Sequence, residues 1–511
     1  MIGFWNIARV EPDEVAIVED HTGRSCTRGE LAERSHRLVW ALRGRGLATG
    51  SVLAAVMRNE IEFFEVLLAA LQAGWYLVPV NHHFAPREVA YILQDSGAEV
   101  VVASASTEAL VTEAADAAGL PADRRFTSGA GGALTSLADL AAEGRPEEPP
   151  DRTTGWFMTY TSGTTGRPKG IKRPLSGADP DEAGFAWRLQ IEMFRIDGQA
   201  PHVHLVQSPC YHTAVLAFAN SALQHGHRVV LMDSWSAVGA LEAIQRHRVT
   251  TTHMVPTQFH RLLQLPDDVR GRYDVSSLQH VVHGAAPCPT EVKRRMIEWF
   301  GPVVTEYYGA SEGGGTVATA EEWLERPGTV GRPWPGAEVR ILDDDGNEVP
   351  PGTVGTVWLK AGALDFEYHN RPDATAESKR DGFFTVHDLG HVDEDGYLYL
   401  HGRASDVIIT GGVNVHPSEI EGVLLDHPAV ADVAVLGDPD PEWGERIVAV
   451  VQPWDGDTEG LAEALAAHCR AHLAGFKVPR SFEFVDSLPR DPNGKLYKRQ
   501  LREQRAARAR T

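Results

Sequence analysis

The sequence is short of cysteine. Only Cys26, Cys210, Cys288 and Cys469 are present, far apart in the chain. None forms a C-x-x-C pair and none has the spacing of a metal site. A disulfide framework and a zinc ribbon are therefore excluded, and reduced, mostly buried thiols are expected. Long apolar runs are also missing. The best candidate, residues 66–80, is broken by Gln72, Gly74 and Pro79, short of the roughly 18 apolar residues that mark a membrane-spanning helix. Positive charge is scarce: 48 Lys and Arg stand against 70 Asp and Glu, a net charge of −22. Such a surface repels phosphate backbones and excludes a general nucleic-acid binder, while permitting a local anion site made of backbone N–H groups. No charged patch followed by an apolar stretch opens the chain, so no secretory leader is visible and the cytoplasm is the expected compartment.

What is present is enough for several cores. The 511 residues are 43% hydrophobic and predict roughly two to four structural units. Residues 52–57 are a short apolar run, and 60–73 place Phe64, Leu67, Leu68 and Leu71 on one helical face. Residues 77–80 are apolar again, Ala85 and Pro86 open a helical stretch to Leu93 that Gly97 ends, and 100–103 reads as a strand. This alternation implies a parallel sheet covered by helices, an α/β class. Residues 127–154, rich in Gly, Ala, Glu and Pro, read as a surface connection. Residues 237–247 are helical, 250–255 a strand, and Pro256 starts a further helix. Between 330 and 400, short β-type runs at 338–342, 355–359 and 397–400 sit among Pro, Gly and Asp turns, as in a small antiparallel β unit. Mixed α and β resumes after 402–405. The basic residues Lys498, Arg499, Arg502, Arg505, Arg508 and Arg510 read either as a solvated, fraying helix or as a contact with a phosphorylated ligand.

The strongest chemical signal is Tyr160-Thr161-Ser162-Gly163-Thr164-Thr165-Gly166-Arg167-Pro168-Lys169-Gly170. Its glycines let successive N–H groups face one concavity, its hydroxyls add donors, and Lys169 adds charge, which together make a polyphosphate cradle. It is not the Walker arrangement, because only two residues separate Gly163 from Gly166. The string resembles, almost letter for letter, the signature of the adenylate-forming superfamily. That superfamily comprises acyl-CoA synthetases, peptide-synthetase adenylation domains and firefly-type luciferases.

Further segments resemble the other motifs of that superfamily, in order, from about residue 10 to 503. Gly284-Ala285-Ala286-Pro287 looks like the segment that lies along adenine. Glu306-Tyr307-Tyr308-Gly309-Ala310-Ser311-Glu312 resembles its core motif. The resemblance implies that Tyr308 stacks on adenine, Ser311 donates to the α-phosphate and Glu312 holds Mg²⁺, with Glu306, Tyr307 and Gly309 counted in the ATP site. Asp388 and Arg403 match the ribose-binding pair. Lys495, in Pro492-Asn493-Gly494-Lys495, matches the lysine that bridges the attacking carboxylate and the α-phosphate. The implied fold is a large N-terminal domain of helix-covered sheets, residues 1–402, including the β unit at about 330–400. A hinge at 403–405 leads to a small mobile α+β domain at 406–511. Three positions depart from the pattern. Ser405 stands where the hinge residue is usually Asp or Lys, His387 where Gly is usual, and Glu306 where Asn is usual.

The implied reaction is adenylation of a carboxylic acid by ATP with Mg²⁺, followed by transfer of the acyl group to CoA. The domain rotates about Ser405 between the two steps. Gly411, Gly412 and Val413 resemble the loop that serves the second step. Trp443 is read as stacking on the CoA adenine or as a packing aromatic, and Lys477 as meeting CoA phosphates or as solvated. His212 matches a gating position by the acyl tunnel or is a hydrogen-bonded core histidine. Gly284, Gly309, Gly313 and Gly314 are expected to leave a roomy acyl pocket for a medium- or long-chain or bulky hydrophobic acid. The residues up to Thr511 include no carrier domain, so a free thiol acceptor is expected. The other expected partners are a second copy of the chain, if it is not a monomer, and a pathway enzyme. Two other readings stay open: thiolation alone on a preformed acyl-adenylate, and a stand-alone adenylation enzyme that loads a carrier protein.

Overall fold

A computed structural model describes residues 2–130, 132–161, 167–198, 200–362, 365–454, 456, 458–490 and 496–508. The chain forms two compact units. The first comprises residues 1–253, 271–281 and 363–378, the second 254–270, 282–362 and 379–511.

The first unit is built as the alternation predicts. Strands Val52–Val56, Tyr76–Pro79 and Val100–Ala103 alternate with helices Ile61–Ala73, Pro86–Ser96 and Glu108–Ala118. Val52–Val56 lies between the other two strands, parallel to both, with Ala54 opposite Val78 and Val101. Pro86 sits in the first turn of its helix, and Gly97 ends it in the left-handed conformation, φ 68°, the usual division of labour between Pro and Gly. A second sheet sets Val203–Val206 parallel to Arg228–Leu231 and Thr251–Met254.

Helix Ile61–Ala73 differs from its expected one-sided burial. Phe63, Val66, Ala69 and Ala70 are as buried as Phe64, Leu67, Leu68 and Leu71. They share one core with Leu53 and Leu77 of the first sheet and with Val206 and Val229 of the second. A helix covered on both sides needs apolar residues all round. Its buried polar residues are partnered: Glu65 accepts from Arg34 at 3.1 Å, and Gln72 donates to Ser35 at 2.9 Å. The expected surface connection at 127–154 also carries structure. Thr135–Ser136 joins the parallel sheet, and Ser136 caps helix Leu137–Ala142 by accepting from the Asp139 N–H at 3.0 Å. Leu137 and Leu140, three apart, are the buried anchor that the Gly/Ala/Pro composition concealed.

The second unit holds the antiparallel β unit. Asp388–Val392 pairs with Leu398–Arg403 and with Gly355–Lys360, which also pairs with Glu338–Leu342. Hairpin Val304–Ala310 with Gly313–Ala318 extends it through Thr329–Pro333. Beyond residue 406, Val430–Asp440 and Gly444–Pro453 form a long hairpin, with Ser481–Phe484 parallel to the latter. Helices Pro417–Leu425 and Leu461–His472 contribute Ile420, Leu424, Leu465 and Cys469 to a core on that sheet.

The C-terminal helix Lys498–Arg508 is docked, which corrects the expectation of a fraying helix. Leu501 is buried with Ala434, Leu436 and Val450. Arg505 donates to both Asp438 oxygens at 2.7 and 2.9 Å and to Glu483 at 2.8 Å. Bidentate guanidinium–carboxylate pairs of this kind fix orientation as well as adding attraction. Cys26, Cys210 and Cys469 are buried and Cys288 half-buried, and none is disulfide-bonded. Among the described residues no helix is long and apolar enough to cross a membrane.

Glu60 precedes helix Ile61–Ala73 and accepts from the Ser104 hydroxyl at 2.6 Å. Burial pushes its carboxyl up to about 7. A raised carboxyl favours the folded state while protonated. Its contribution is full below the ordinary carboxylate range and is lost as pH rises through 7. At 1.36 kcal/mol per unit the loss is at most about 3 kcal/mol. The expected outcome is that Glu60→Gln, which cannot ionise, is more stable than wild type at pH 8 and that the gap closes towards pH 5. Thermal unfolding at the two pH values checks this, and a gap that does not vary with pH would refute it.

Candidate active site

The second unit brings three of the expected site residues together. Asp388–Val392 and Leu398–Arg403 pair antiparallel in a register that sets Asp388 opposite Arg403. The Arg403 Nε is 3.4 Å from one Asp388 oxygen, and the Tyr308 hydroxyl donates to the other at 2.8 Å. Burial raises the Asp388 carboxyl, with Arg403 and Tyr308 pulling it back down. Burial, then the Asp388 charge, pushes the Tyr308 phenol well above its usual range. An aromatic face, a carboxylate and a guanidinium in one group suit a purine nucleoside: the ring offers a stacking surface and the carboxylate accepts from sugar hydroxyls.

The backbone beside this group explains one departure. His387 has φ 63°, a left-handed conformation in which glycine is unstrained. The conformation is held by the His387 N–H donating to Thr385 Oγ1 at 2.9 Å and the Ala404 N–H donating to the His387 carbonyl at 3.0 Å.

Strand Val304–Ala310 carries Tyr308 and turns at Ser311 and Glu312 into Gly313–Ala318. Glu312 is 6% exposed. Among the described residues no three His, Cys, Asp or Glu side chains converge as a cation site. One buried carboxylate suits Mg²⁺ delivered as Mg·ATP, since that ion keeps waters and phosphate oxygens as its other ligands.

Three of the glycines expected to leave an acyl pocket have close neighbours on the side that a Cβ would occupy. A Cβ on Gly314, at φ 64°, would lie 3.1 Å from Leu359 and 3.2 Å from the Lys360 carbonyl. One on Gly309 would lie 3.0 Å from the Gly314 carbonyl, and one on Gly284 would lie 2.6 Å from the Tyr307 ring. These positions are small because their own unit packs against them. Gly313, at φ 116°, serves the turn. Ala285, φ 70°, is left-handed and exposed, and Ala286 is half-buried beside it. Glu306, counted with the ATP site, is instead buried in an ion pair with Lys293. Lys293 was missed, although a signal existed: it shares the buried stripe of helix Thr290–Phe300 with Met296, Ile297 and Phe300, at apolar spacing.

In the first unit, Thr159–Thr161 pairs antiparallel with Lys169–Lys172, Thr161 facing Lys169. The two flanks of the phosphate-loop string are thus joined. Ser162, Gly163, Thr164, Thr165 and Gly166 lie outside the described residues. The Lys169 ammonium lies 5.0 Å above the Tyr368 ring. His212 precedes helix Thr213–Gln224, its ring 4.4 Å from that of Tyr211, which is 5.3 Å from that of His82. Burial lowers His82 to about 4, which keeps that ring neutral near pH 7.

Beyond Arg403, Ser405 lies in the short turn Ala404–Asp406. Gly411 and Gly412, φ 57° and 77°, turn the chain between Ile408–Thr410 and Val413–Val415. The Gly411 N–H donates to the Trp443 carbonyl at 2.8 Å. Trp443 is 42% exposed, with Arg480 5.4 Å from its ring. Lys477, half-buried, donates to both Glu419 oxygens at 2.6 and 2.7 Å. Lys495 lies outside the described residues, in a segment whose flanks Arg490 and Leu496 are bridged.

Comparison with known proteins agrees with this geometry. Residues 4–364 match the family model described as AMP-binding enzyme, and 419–495 match the AMP-binding enzyme C-terminal domain. A fatty acid–[acyl-carrier-protein] ligase of Streptomyces coeruleorubidus is 33% identical over 97% of this chain and 94% of its own. A feruloyl-CoA synthase of an Amycolatopsis species is 34% identical over 98% of both chains. The solved structure of an amide bond synthetase from Marinactinospora thermotolerans superposes with a TM-score of 0.81 at 30% identity, covering 96% of this chain and 97% of that one.

His387 supplies a test of the local backbone. Leaving the left-handed conformation unstrained, His387→Gly is expected to match wild-type stability or exceed it by up to about 1 kcal/mol. The β-branched His387→Val is expected to lose about 2 kcal/mol. Chemical unfolding distinguishes them, and a valine variant as stable as wild type would refute the left-handed backbone there.

Proposed function

The chain belongs to the AMP-binding enzyme family, and from that premise we propose that it is an AMP-forming acyl-CoA ligase acting on a medium- or long-chain or bulky hydrophobic carboxylic acid. The observation that carries the reading is the Tyr308–Asp388–Arg403 group, a nucleoside site on paired strands.

In the first step a carboxylate oxygen of the acid attacks the α-phosphorus of Mg·ATP. The bond from that phosphorus to the bridging oxygen breaks, and pyrophosphate leaves. Tyr308 holds the base and Asp388 and Arg403 the ribose. Thr161, Ser162, Gly163, Thr164, Thr165, Gly166 and Lys169 receive the phosphates, Ser311 donates to the α-phosphate, and Glu312 would hold the ion, which would offset phosphate charge. Lys495 stabilises the charge that builds between carboxylate and phosphate. In the second step the CoA sulfur attacks the acyl carbon and the acyl–oxygen bond breaks. AMP leaves, and the thiol proton passes to solvent. Rotation of residues 406–511 about Ser405 exchanges Lys495 for the Gly411–Val413 turn, with Trp443 and Lys477 towards CoA and His212 at the acyl entrance. The bulky acid is supported by the feruloyl and fatty acyl groups in the relatives' names. A second reading, transfer to a carrier protein, is favoured by the carrier-protein ligase among them.

The test is mass spectrometry of products from ATP, Mg²⁺, CoA and acids ranging from acetate to fatty, aryl and polycyclic acids. Each acid is also supplied as its acyl-AMP without ATP. Acyl-CoA is expected from large apolar acids, with Lys495→Ala slowing the complete reaction roughly 10²-fold or more while conversion of acyl-AMP persists. Preference for acetate would refute the acid class. Product only from acyl-AMP would remove the adenylation step, and product only with an added carrier protein would replace CoA as acceptor.

A further inference from the structure

Behind the nucleoside group lies a charge pair that the reaction does not use. Lys293 is 0% exposed and Glu306 5%. The Lys293 ammonium donates to Glu306 Oε2 at 2.5 Å and lies 4.7 Å above the Trp323 ring. His283 Nε2 is 3.9 Å from the same carboxylate oxygen, with its ring also fully buried.

Two charges taken from water regain through mutual attraction only part of what their hydration gave. An apolar pair of similar volume holds a core at least as well. What such a pair adds is direction: a short ammonium–carboxylate contact has one geometry, whereas methylene packing tolerates sliding. Here the contact joins helix Thr290–Phe300 to strand Val304–Ala310. Alternation along that strand sets Glu306 and Tyr308 on one face, and the irregularity in its pairing with Gly313–Ala318 lies beyond them, at Gly309 and Ala310. Any shift of Glu306 along the strand therefore moves Tyr308 relative to Asp388.

We propose that Lys293 and Glu306 are positioning residues, a buried pair that sets the strand carrying Tyr308 in the register that binds the adenine nucleotide. This rests on the nucleotide-site reading above. The pairing also accounts for Glu306 in place of the usual Asn: the acid is accompanied by its own buried cation.

The test titrates AMP calorimetrically against the full chain, so that it does not depend on turnover, alongside thermal unfolding. Lys293→Met and Glu306→Gln each strand one buried charged group, and both are expected to unfold at lower temperature. Lys293→Met with Glu306→Leu removes both charges and is expected to recover the unfolding temperature but to bind AMP about tenfold more weakly, the scale on which small misplacements act. Glu306→Asp keeps the charges and shortens the reach, and is expected to weaken AMP binding similarly. Wild-type AMP affinity in the double variant overturns the proposal. Should that variant not fold, wild-type affinity in Glu306→Asp overturns it. A wild-type chain that binds no AMP overturns it together with the nucleotide site, whereas one that binds AMP but makes no acyl-CoA refutes only the proposed reaction.

Discussion

The antiparallel pairing of Asp388–Val392 with Leu398–Arg403 is the constraint on which the proposed nucleoside site depends. It brings a carboxylate and a guanidinium face to face without help from any loop, and sites on strands are held more firmly than sites on loops. The Tyr308 hydroxyl then joins a third strand to the pair. The left-handed backbone at His387 lets the chain enter this register, and the Ala404 N–H closes on the His387 carbonyl at 3.0 Å just where the turn Ala404–Asp406 begins. The end of the strand that carries Arg403 and the start of the expected hinge are thus one hydrogen-bonded element. Asp406, in that turn, is 3.5 Å from Arg502 of the docked C-terminal helix. A change of backbone angles at Ser405 acts directly on both neighbours.

Buried charge is handled in two ways here, and the difference follows from partners. Burial raises the Glu306 carboxyl, but an ammonium at 2.5 Å pulls it back down. Glu60 has a serine hydroxyl, which lends a hydrogen bond but no charge, and its carboxyl rises to about 7. Asp388 resembles Glu306 in this respect. Its burial raises it, while Arg403 and Tyr308 oppose the rise. A carboxylate meant to accept from sugar hydroxyls must stay ionised yet shed water easily, and partial burial beside a guanidinium meets both needs. In a chain of net charge −22, few cations are spared for this purpose, which makes the placement of Arg403 and Lys293 the more telling.

The order of strands and helices was legible because it is written locally: apolar period, Pro at helix starts, Gly at helix ends. Asp388, Arg403 and Tyr308 were legible as motif residues, though their mutual contact was not. What escaped depends on residues far apart in the chain. Nothing near Phe63 announces a second sheet over its side of the helix. The C-terminal basic residues looked solvated because Asp438 and Glu483, which hold Arg505, lie far back in sequence. The close packing at glycines 284, 309 and 314 escaped for the same reason. Smallness in a sequence signals close approach but not what approaches, and here it is Tyr307, Leu359 and the hairpin's own backbone. Lys293 was hidden by its type, since lysine is read as surface unless its helical phase is checked.

The residues assigned to the acceptor step share a different physical character from the nucleoside group. Ile409, Val413, Trp443 and Phe476 are 42–54% exposed in a part of the chain whose sheet interior is closed. The first three are drawn together by the pairing of Thr410 with Gly444 and by the Gly411–Trp443 hydrogen bond. Arg480 lies over Trp443, and Lys477 over Phe476 at 5.8 Å. Large apolar side chains left uncovered beside cations suit a ligand that is itself part apolar and part anionic, as a pantetheine arm with its phosphates is. Lys477 is held by Glu419, so an arriving phosphate would have to compete with that carboxylate for it. The proposed nucleoside group is prebuilt, whereas the proposed acceptor face is exposed and engaged with itself, an asymmetry that suits a reaction in which the nucleotide binds first and the thiol last.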